Sequence, residues 1–349
     1  MSSAPTNQKK RVFLPCARSL SCFLFLAGSI GVFSNTADAQ NSTPAPGSDL
    51  PILGIAQVTN KVSDLDKARA YYGGVLGFLE AFDLKDAAGK VTSAYFKVND
   101  DQYIELTPNL RPGELVRQAR IVIQSSDLQE LHEIYETRGI NPSAVAKGPD
   151  GNPVFRVTAS NGTNIDFLQY VAGSQQSLAR GKYLGSARLS THLLHAGTMA
   201  KDDEARSFFQ DKLGFGRRLP GDRGDYIELP ASDSNLETKN PPLDPKNPAT
   251  LDQYTREVYG AVYHFSLEVA DMRVARDLAQ KRGGYDDVRV RAAMGRGVRS
   301  WLMHLFDADG TRTEFLQTGT VDLPPFTVMA PGAPAPPIPP KANGQYGWP

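Results

Sequence analysis

The stretches that decide the fold read His195-Ala-Gly-Thr-Met-Ala-Lys-Asp202 and His264-Phe-Ser-Leu-Glu-Val-Ala-Asp271. Each begins with a histidine in a run typical of a strand and reaches an aspartate seven residues later. An aspartate at that point suits a helix N-cap, because its carboxylate accepts hydrogen bonds from backbone N–H groups of the first turn. The two stretches therefore predict two copies of one strand-and-helix unit.

Each histidine strand is followed, further along the chain, by a strand-like run that contains a glutamate. The first run is Asp225-Tyr-Ile-Glu228-Leu and the second is Arg312-Thr-Glu314-Phe-Leu. Two imidazoles and two carboxylates brought together by two copies of one unit are suitable ligands for a divalent cation. We therefore predict a metal site formed by His195, Glu228, His264 and Glu314.

The same layout recurs in the N-terminal half. Gln57-Val-Thr-Asn-Lys-Val-Ser-Asp64 has the same step, and Tyr103-Ile-Glu105-Leu has the letters of Tyr226-Ile-Glu228-Leu. A further copy begins at Arg120 and ends in Asn164-Ile-Asp166-Phe-Leu. Copies thus begin near residues 52, 117, 187 and 260, and each has a strand, a helix and three short strands. The predicted fold is α+β, with four βαβββ units.

Four βαβββ units with histidine and glutamate at these positions resemble the vicinal oxygen chelate superfamily. That group includes glyoxalase I, bleomycin resistance proteins and extradiol ring-cleaving dioxygenases. The resemblance covers roughly residues 52–319. It implies that the units pair into two barrels, an N-terminal glyoxalase-like domain at 51–175 and a C-terminal one at 183–320 that holds the metal.

The resemblance also implies that the two domains differ. It places Gln57, Glu105, Arg120 and Asp166 at the ligand positions of the N-terminal domain. An arginine presents only hydrogen-bond donors and cannot bind a cation. We therefore expect this domain to lack a metal, and an ion pair between Arg120 and Asp166 to serve as a structural tie instead.

The ligand set resembles that of glyoxalase I, which implies a metal-dependent isomerase or lyase. Its substrate would be small and would chelate the metal through vicinal oxygens, while Glu228 or Glu314 acts as the base. Zn, Ni, Mn, Mg and Fe(II) all accept such ligands, so the metal is left open. Two alternatives remain: an Fe(II) extradiol-type ring-cleaving dioxygenase using His195, His264 and Glu314, and a non-enzymatic protein that sequesters a small molecule.

Three other histidines are weighed beside the ligands. His304 lies ten residues before Glu314, where the dioxygenases carry an active-site tyrosine. It is either a general acid or base, because imidazole titrates near neutral pH, or a strand residue hydrogen-bonded within the barrel. His192 precedes His195 by three residues, so strand alternation turns it to the opposite face. His132 falls in the helix of the second unit.

A long insertion at residues 231–258 separates the third and fourth units. It contains four prolines, and both its ends lie near the predicted metal. Irregular insertions at such places are often lids, although a surface insertion is an equally simple interpretation. Tyr254 and Tyr259 are its candidate substrate contacts.

The N-terminal region is typical of a secretory signal peptide. Lys9-Lys10-Arg11 precede an apolar run from Leu20 to Phe33, and Ala37-Asp-Ala39 is an A-x-A cleavage signal. We expect residues 1–39 to be removed and the protein to be periplasmic or secreted, the alternative being an uncleaved N-terminal anchor. Residues 40–50 form a short linker and residues 321–349 a proline-rich tail.

The amino-acid composition excludes several classes of function. Both cysteines, Cys16 and Cys22, fall in the signal segment, so the mature chain would have no thiolate ligand, disulfide or cysteine nucleophile. Basic and acidic residues number 38 each, and no basic patch indicates nucleic-acid binding. The expected partner is a small-molecule substrate, without nucleic acid or, after signal cleavage, a membrane. We expect a monomer or a homodimer.

Overall fold

The structure is a computed structural model of the 349-residue chain. It describes residues 49–114, 116–160, 162–200, 206–216, 218–220, 225–239, 262–285, 288, 290–295 and 298–318. The predicted signal peptide, the proline-rich tail, Tyr254 and Tyr259 lie outside the described residues. Within these ranges, no helix combines the length and the apolar character needed to cross a bilayer.

The first half of the described chain contains eight strands and four short helices. The strands are β1 (Ile52–Lys61), β2 (Leu79–Lys85), β3 (Val91–Lys97), β4 (Tyr103–Thr107), β5 (Gln118–Ser125), β6 (Ala146–Lys147), β7 (Pro153–Thr158) and β8 (Asn164–Leu168). The helices are α1 (Leu65–Arg69), the π-helical α2 (Ala70–Val75), α3 (Leu128–Thr137) and α4 (Gln175–Ala179).

The second half of the described chain adds eight strands and two helices. The strands are β9 (His192–Met199), β10 (Arg218–Pro220), β11 (Asp225–Glu228), β12 (Asn235–Lys239), β13 (Val262–Glu268), β14 (Val290–Gly295), β15 (Val298–Phe306) and β16 (Arg312–Gln317). The helices are the π-helical α5 (Arg206–Lys212) and α6 (Met272–Gly283).

All these strands join one mixed sheet, and its two halves have matching orders. The first runs β2-β3-β4-β1-β5-β8-β7-β6 and the second β10-β11-β12-β9-β13-β16-β15-β14. In each half a central antiparallel pair, β1 with β5 or β9 with β13, is flanked by parallel partners. The halves meet where Val262 pairs with Gln118. The α+β expectation, with most of the structure in sheet, is confirmed.

Aspartates cap three of the described helices, as the sequence predicts, while the predicted cap Asp202 lies outside the described residues. The carboxylates of Asp64, Asp127 and Asp271 each accept hydrogen bonds from backbone N–H groups of the following turn. Such a cap contributes about 1 kcal/mol to a helix. The chain therefore turns from strand to helix at the step that the sequence marks.

Alternation along the strands separates two environments. Ala196 and Phe265 belong to the main hydrophobic core, which also contains side chains of the helices. Because neighbouring strand residues face opposite ways, His195 and His264 lie on the other face of the sheet. The second face of the C-terminal half thus carries the polar residues of the candidate site.

Candidate metal centre

The two predicted imidazoles meet on the polar face of the sheet in the C-terminal half. The Nε2 atom of His195, on β9, lies 3.0 Å from the Nε2 atom of His264, on β13. Their ring planes are 83° apart, and both side chains are fully buried. Two ring nitrogens this close must share either a proton or a cation, because two lone pairs facing each other repel.

Two carboxylates approach the same nitrogens. Oε1 of Glu314 lies 3.1 Å from His195 Nε2 and 3.6 Å from His264 Nε2. Oε2 of Glu237 lies 3.0 Å from His264 Nε2 and 3.6 Å from His195 Nε2. Ligand atoms bound to one metal at about 2.1 Å are about 3.0 Å apart along an octahedral edge and about 3.4 Å along a tetrahedral one. The donor set therefore fits a single divalent metal.

The structure brings Glu237, and not the predicted Glu228, to the two imidazoles. In the N-terminal half, Glu105 lies on β4, the strand that pairs in parallel with β1. The equivalent strand of the C-terminal half is β12, which pairs in parallel with β9 and carries Glu237. Glu228 ends β11, one strand further out, and makes no ion pair with either ligand imidazole within the described part of the chain. The predicted insertion also changes, since β12 occupies residues 235–239.

Glu237 is held by a polar shell of its own. Tyr226 donates a hydrogen bond of 3.3 Å to Oε1, and Tyr263 donates one of 2.9 Å to Oε2. The Lys239 ammonium lies 3.6 Å from Oε1. These groups fix the carboxylate with Oε2 towards His264.

The protonation states suit a divalent cation. Burial lowers the pKa of His195, although Glu314 opposes the shift. Burial also acts to lower the pKa of His264, but the charges of Glu314 and Glu237 outweigh it and raise that pKa. The pKa values of both glutamates lie below their usual range despite burial, because Lys239 acts on Glu237, and His264 acts on both. Two carboxylates that favour their ionised form thus face two buried imidazoles, a combination that suits a cation.

His304 joins this group through the second oxygen of Glu314. Its Nε2 atom lies 3.0 Å from Glu314 Oε2, on the adjacent strand β15. The His304 side chain is 18% exposed, whereas His195 and His264 are fully buried. It is therefore placed to exchange protons between Glu314 and the solvent.

Two buried polar side chains that the sequence did not single out flank His195. Asn235 on β12 and Ser266 on β13 are both in register with it. Neither side chain is exposed, and their Nδ2, Oδ1 and Oγ atoms have no hydrogen-bond partner in the described structure. An unsatisfied buried polar group costs about 1–3 kcal/mol. Asn235 and Ser266 are therefore buried polar groups beside His195 whose hydrogen-bonding capacity is unused in the described structure.

The N-terminal half has an ion-pair network at the matching positions. Arg120 donates to Glu105 Oε2 at 2.7 Å, and its Nε lies 3.4 Å from Asp166 Oδ2. The predicted pair between Arg120 and Asp166 is thus present. Gln57 also donates to Glu105, at 2.7 Å, and Arg156 contacts both oxygens of Asp166, at 2.6 and 3.0 Å.

The remaining histidines lie apart from the ligands. His192 contacts Glu268 at 3.1 Å and Asp233 at 3.2 Å. His132 lies in α3, where its Nε2 atom is 3.0 Å from the Ser143 carbonyl oxygen. Neither histidine is part of the metal-ligand group.

Comparison with known proteins identifies the fold. No family model matches the chain, and no curated protein matches it. The Mn(II)-bound glyoxalase of Novosphingobium aromaticivorans is similar in structure, with a TM-score of 0.55, 18% identity, and coverage of 77% of this chain and 83% of that one.

Two dioxygenases are similar to the same degree. A homoprotocatechuate 2,3-dioxygenase mutant from Brevibacterium fuscum gives a TM-score of 0.56 at 16% identity, covering 81% of this chain and 76% of that one. The 2,3-dioxygenase LapB of Pseudomonas sp. KL28 gives 0.53 at 15%, covering 80% and 97%. This chain therefore has the vicinal oxygen chelate fold.

Proposed function

We propose that this protein is a metal-dependent lyase or isomerase acting on a small substrate that chelates the metal through vicinal oxygens. The observation that carries the proposal is the second carboxylate, Glu237, 3.0 Å from His264 Nε2 in addition to Glu314. Two imidazoles and two carboxylates form a four-ligand set that leaves positions open for two substrate oxygens.

His195, Glu237, His264 and Glu314 would hold the metal. When bound, the metal would polarise a substrate carbonyl and stabilise the negative charge that develops on its oxygen. Nitrogen and carboxylate ligands accept Zn, Ni, Mn, Mg and Fe(II), so this donor set does not select one of them.

Glu314 is our candidate base of the two glutamates, because its second oxygen contacts a group that can pass a proton on. Glu237 accepts hydrogen bonds from Tyr226 and Tyr263, and these stabilise its ionised form and weaken it as a base. Glu314 instead contacts His304, a titratable group, through Oε2. A proton taken from the substrate by Glu314 can pass to His304 and from there to the solvent.

A second candidate is an Fe(II) ring-cleaving dioxygenase. His195, His264 and Glu314 by themselves are the two-histidine, one-carboxylate set that suits non-haem Fe(II). In this alternative Glu237 is an acceptor for the two tyrosines, and His304 is the acid–base group. A dioxygenase is also among the proteins of similar structure.

Metal analysis combined with a substrate screen tests the proposal. The protein would be purified anaerobically, its metal measured, and turnover followed with hemithioacetals and with catechols under air. Conversion of a hemithioacetal without oxygen uptake supports the lyase or isomerase. Catechol-dependent oxygen uptake would replace it with the second candidate. Tight binding of a small molecule without turnover would identify a sequestering protein.

The four-unit organisation belongs to the same proposal. It is supported by the order of strand, helix and three strands within each quarter, and by the matching sheet orders of the halves. We propose that the units pair into domains at 51–175 and 183–320. Retained metal binding by an isolated 183–320 fragment would support this division, whereas a fragment that binds metal only when the first half is added would contradict it.

Export is a separate part of the proposal and rests on the sequence. The basic segment, the apolar run and Ala37-Asp-Ala39 support cleavage after Ala39. Expression of the whole chain in a Gram-negative host should give a periplasmic protein that begins at Gln40 and behaves as a monomer or homodimer. Recovery of the intact N-terminus in the membrane fraction would instead indicate an anchor.

A further inference from the structure

The N-terminal half of the chain contacts the turn between β15 and β16, the strands that carry His304 and Glu314. Tyr72, in α2, donates a hydrogen bond of 3.2 Å to Oδ2 of Asp307, which directly follows β15. The two residues are 235 positions apart in the chain, and both are buried. A polar contact thus joins the first half to the hairpin that supplies a metal ligand.

Asp307 connects this contact to its own turn. Its Oδ1 atom accepts hydrogen bonds from the backbone N–H groups of Asp309, at 3.0 Å, and Thr311, at 2.8 Å. Tyr72 in turn accepts a hydrogen bond of 3.1 Å from Asn60, on β1. Burial raises the pKa of the Tyr72 hydroxyl, so this group keeps its proton and remains a donor to Asp307. One carboxylate therefore ties the turn of the hairpin to α2 and β1.

Two further hydrogen bonds reach the same hairpin from the first unit. The Tyr71 hydroxyl donates to Thr313 Oγ1 at 3.3 Å, and the Ser63 backbone N–H donates to Asp309 Oδ2 at 2.9 Å. Thr313 directly precedes Glu314 on β16, so their side chains lie on opposite faces of the strand. The first half therefore contacts one face of the strand whose other face bears the ligand.

The third unit has a phenylalanine where the first unit has Tyr72. Phe209 and Tyr72 each stand six residues before a phenylalanine that follows a glycine, Phe215 and Phe78. The two helices end alike, because the Phe215 N–H donates to the Phe209 carbonyl at 2.9 Å and the Phe78 N–H to the Tyr72 carbonyl at 3.1 Å. Tyr72 thus differs from its counterpart by one hydroxyl group.

The second unit has an alanine where the fourth unit has Asp307. Ala159 and Asp307 each stand seven residues before the acidic residue of the last strand, Asp166 and Glu314. The two turns close alike, because the backbone N–H of each residue donates to the carbonyl oxygen four residues further on, at 2.9 and 3.2 Å. Of the two corresponding pairs, the polar one belongs to the hairpin that carries a metal ligand.

We propose that Tyr72 and Asp307 are positioning residues of the metal centre, through which the N-terminal half sets the place of Glu314. The proposal rests on the metal-dependent function proposed above. All the ligands come from the C-terminal half, so metal binding itself does not require the contact. Its loss would instead let the hairpin shift and move Glu314 relative to His195 and His264. The N-terminal half then contributes to the geometry of the centre without supplying a ligand.

Cobalt(II) titration of the full-length protein tests the proposal, because the visible absorption of bound Co(II) depends on the number and geometry of its ligands. The Tyr72→Phe/Asp307→Ala protein has the apolar pair found at the corresponding positions of the other hairpin. It should bind Co(II) about tenfold more weakly and with an altered spectrum, as expected when the support of a ligand is lost. Tyr135→Phe is the matched control, because the buried Tyr135 hydroxyl has no hydrogen-bond partner in the described structure. This control should keep the wild-type affinity and spectrum.

The outcomes separate this proposal from the proposed function. A wild-type protein that binds no Co(II) would overturn both. Wild-type affinity and spectrum in the double variant, with only a lower melting temperature, would make the contact purely structural and overturn this proposal alone, as would an equal change in Tyr135→Phe. Ser63→Ala, which removes the exposed hydrogen bond from the Ser63 hydroxyl to Asp309, provides a second test if the double variant does not fold. It should then alter the spectrum, and an unchanged spectrum would overturn the proposal.

Discussion

The carboxylate of Glu237 lies 3.0 Å from the imidazole of His264, although their strands, β12 and β13, do not pair with each other. Both strands pair with β9, where Gly197 stands opposite each of these two residues. Because glycine has no side chain, the glutamate and the histidine meet across that strand. A Cβ atom on Gly197 would lie 2.2 Å from His264 Nδ1. The geometry of the site thus depends on a residue that supplies no ligand.

Gly197→Ala should therefore displace the His264 ring and weaken metal binding by about tenfold to a hundredfold, the range seen when the support of a ligand is lost. The fold should survive, with a loss of about 1–3 kcal/mol for the overpacked methyl group. Metal titration and thermal melting measure the two effects. Gly74→Ala is the matched control, because no atom lies within 4 Å of its added Cβ. Equal metal affinity in both variants would mean that His264 is not a ligand.

A matched pair of variants tests whether Glu237 or Glu228 binds the metal. Glu237→Gln should lower metal affinity by at least about tenfold, because a neutral amide replaces a carboxylate beside two imidazoles. Glu228→Gln should leave the affinity unchanged, since Glu228 lies on β11, one strand further from β9 than Glu237. Elemental analysis after dialysis against a weak chelator gives the comparison. A larger loss in the Glu228 variant would restore the original assignment.

The structure brings the two predicted histidines and Glu314 together, because strand, N-cap and helix recur in phase. The sequence points to Glu228 instead of Glu237, because Tyr226-Ile-Glu228-Leu is identical to Tyr103-Ile-Glu105-Leu. The two tetrapeptides nevertheless lie on strands that hold different places in their halves of the sheet. An identical tetrapeptide does not show which strand pairs with β9. That pairing is made by the hydrogen bonds between β9 and β12. The available signal was Asn235-Leu-Glu237-Thr, which also alternates polar and apolar residues and follows a short turn.

His304→Gln should reduce turnover while preserving the metal. Its Nε2 atom contacts Glu314 Oε2, whereas Glu314 Oε1 is the oxygen that faces the two imidazoles. Loss of a general acid or base usually reduces the rate by about 10²–10⁴-fold. Steady-state kinetics on the substrate found by the screen should show a lower kcat, a smaller change in KM and a loss of one limb of the pH profile. An unchanged pH profile would reduce His304 to a positioning residue.

His192 should make stability depend on pH. Burial acts to lower the pKa of His192, but its hydrogen bond to Glu268 and the charge of Asp233 outweigh burial and raise that pKa. A raised folded-state pKa stabilises the protein below the usual histidine pKa of about 6.5, and the effect is lost as pH rises through the raised value. The melting temperature of the wild type relative to His192→Gln should therefore be highest near pH 5.5 and fall towards pH 9. Salt should reduce the difference, since Asp233 is exposed. A difference that is flat across this range would contradict the ion pairs.

Asn235→Leu should stabilise the fold and impair the substrate complex at the same time. The amide of Asn235 is fully buried opposite His195, and neither its oxygen nor its nitrogen has a hydrogen-bond partner. A leucine of similar shape removes that penalty, so the free energy of unfolding should rise by about 1 kcal/mol. If the amide binds the substrate, KM should rise about tenfold with metal content unchanged. Ser266→Ala, on the other side of His195, provides the parallel test. A variant that is less stable than the wild type, or more stable with unaltered KM, would show that Asn235 serves the packing of β12 and not the substrate.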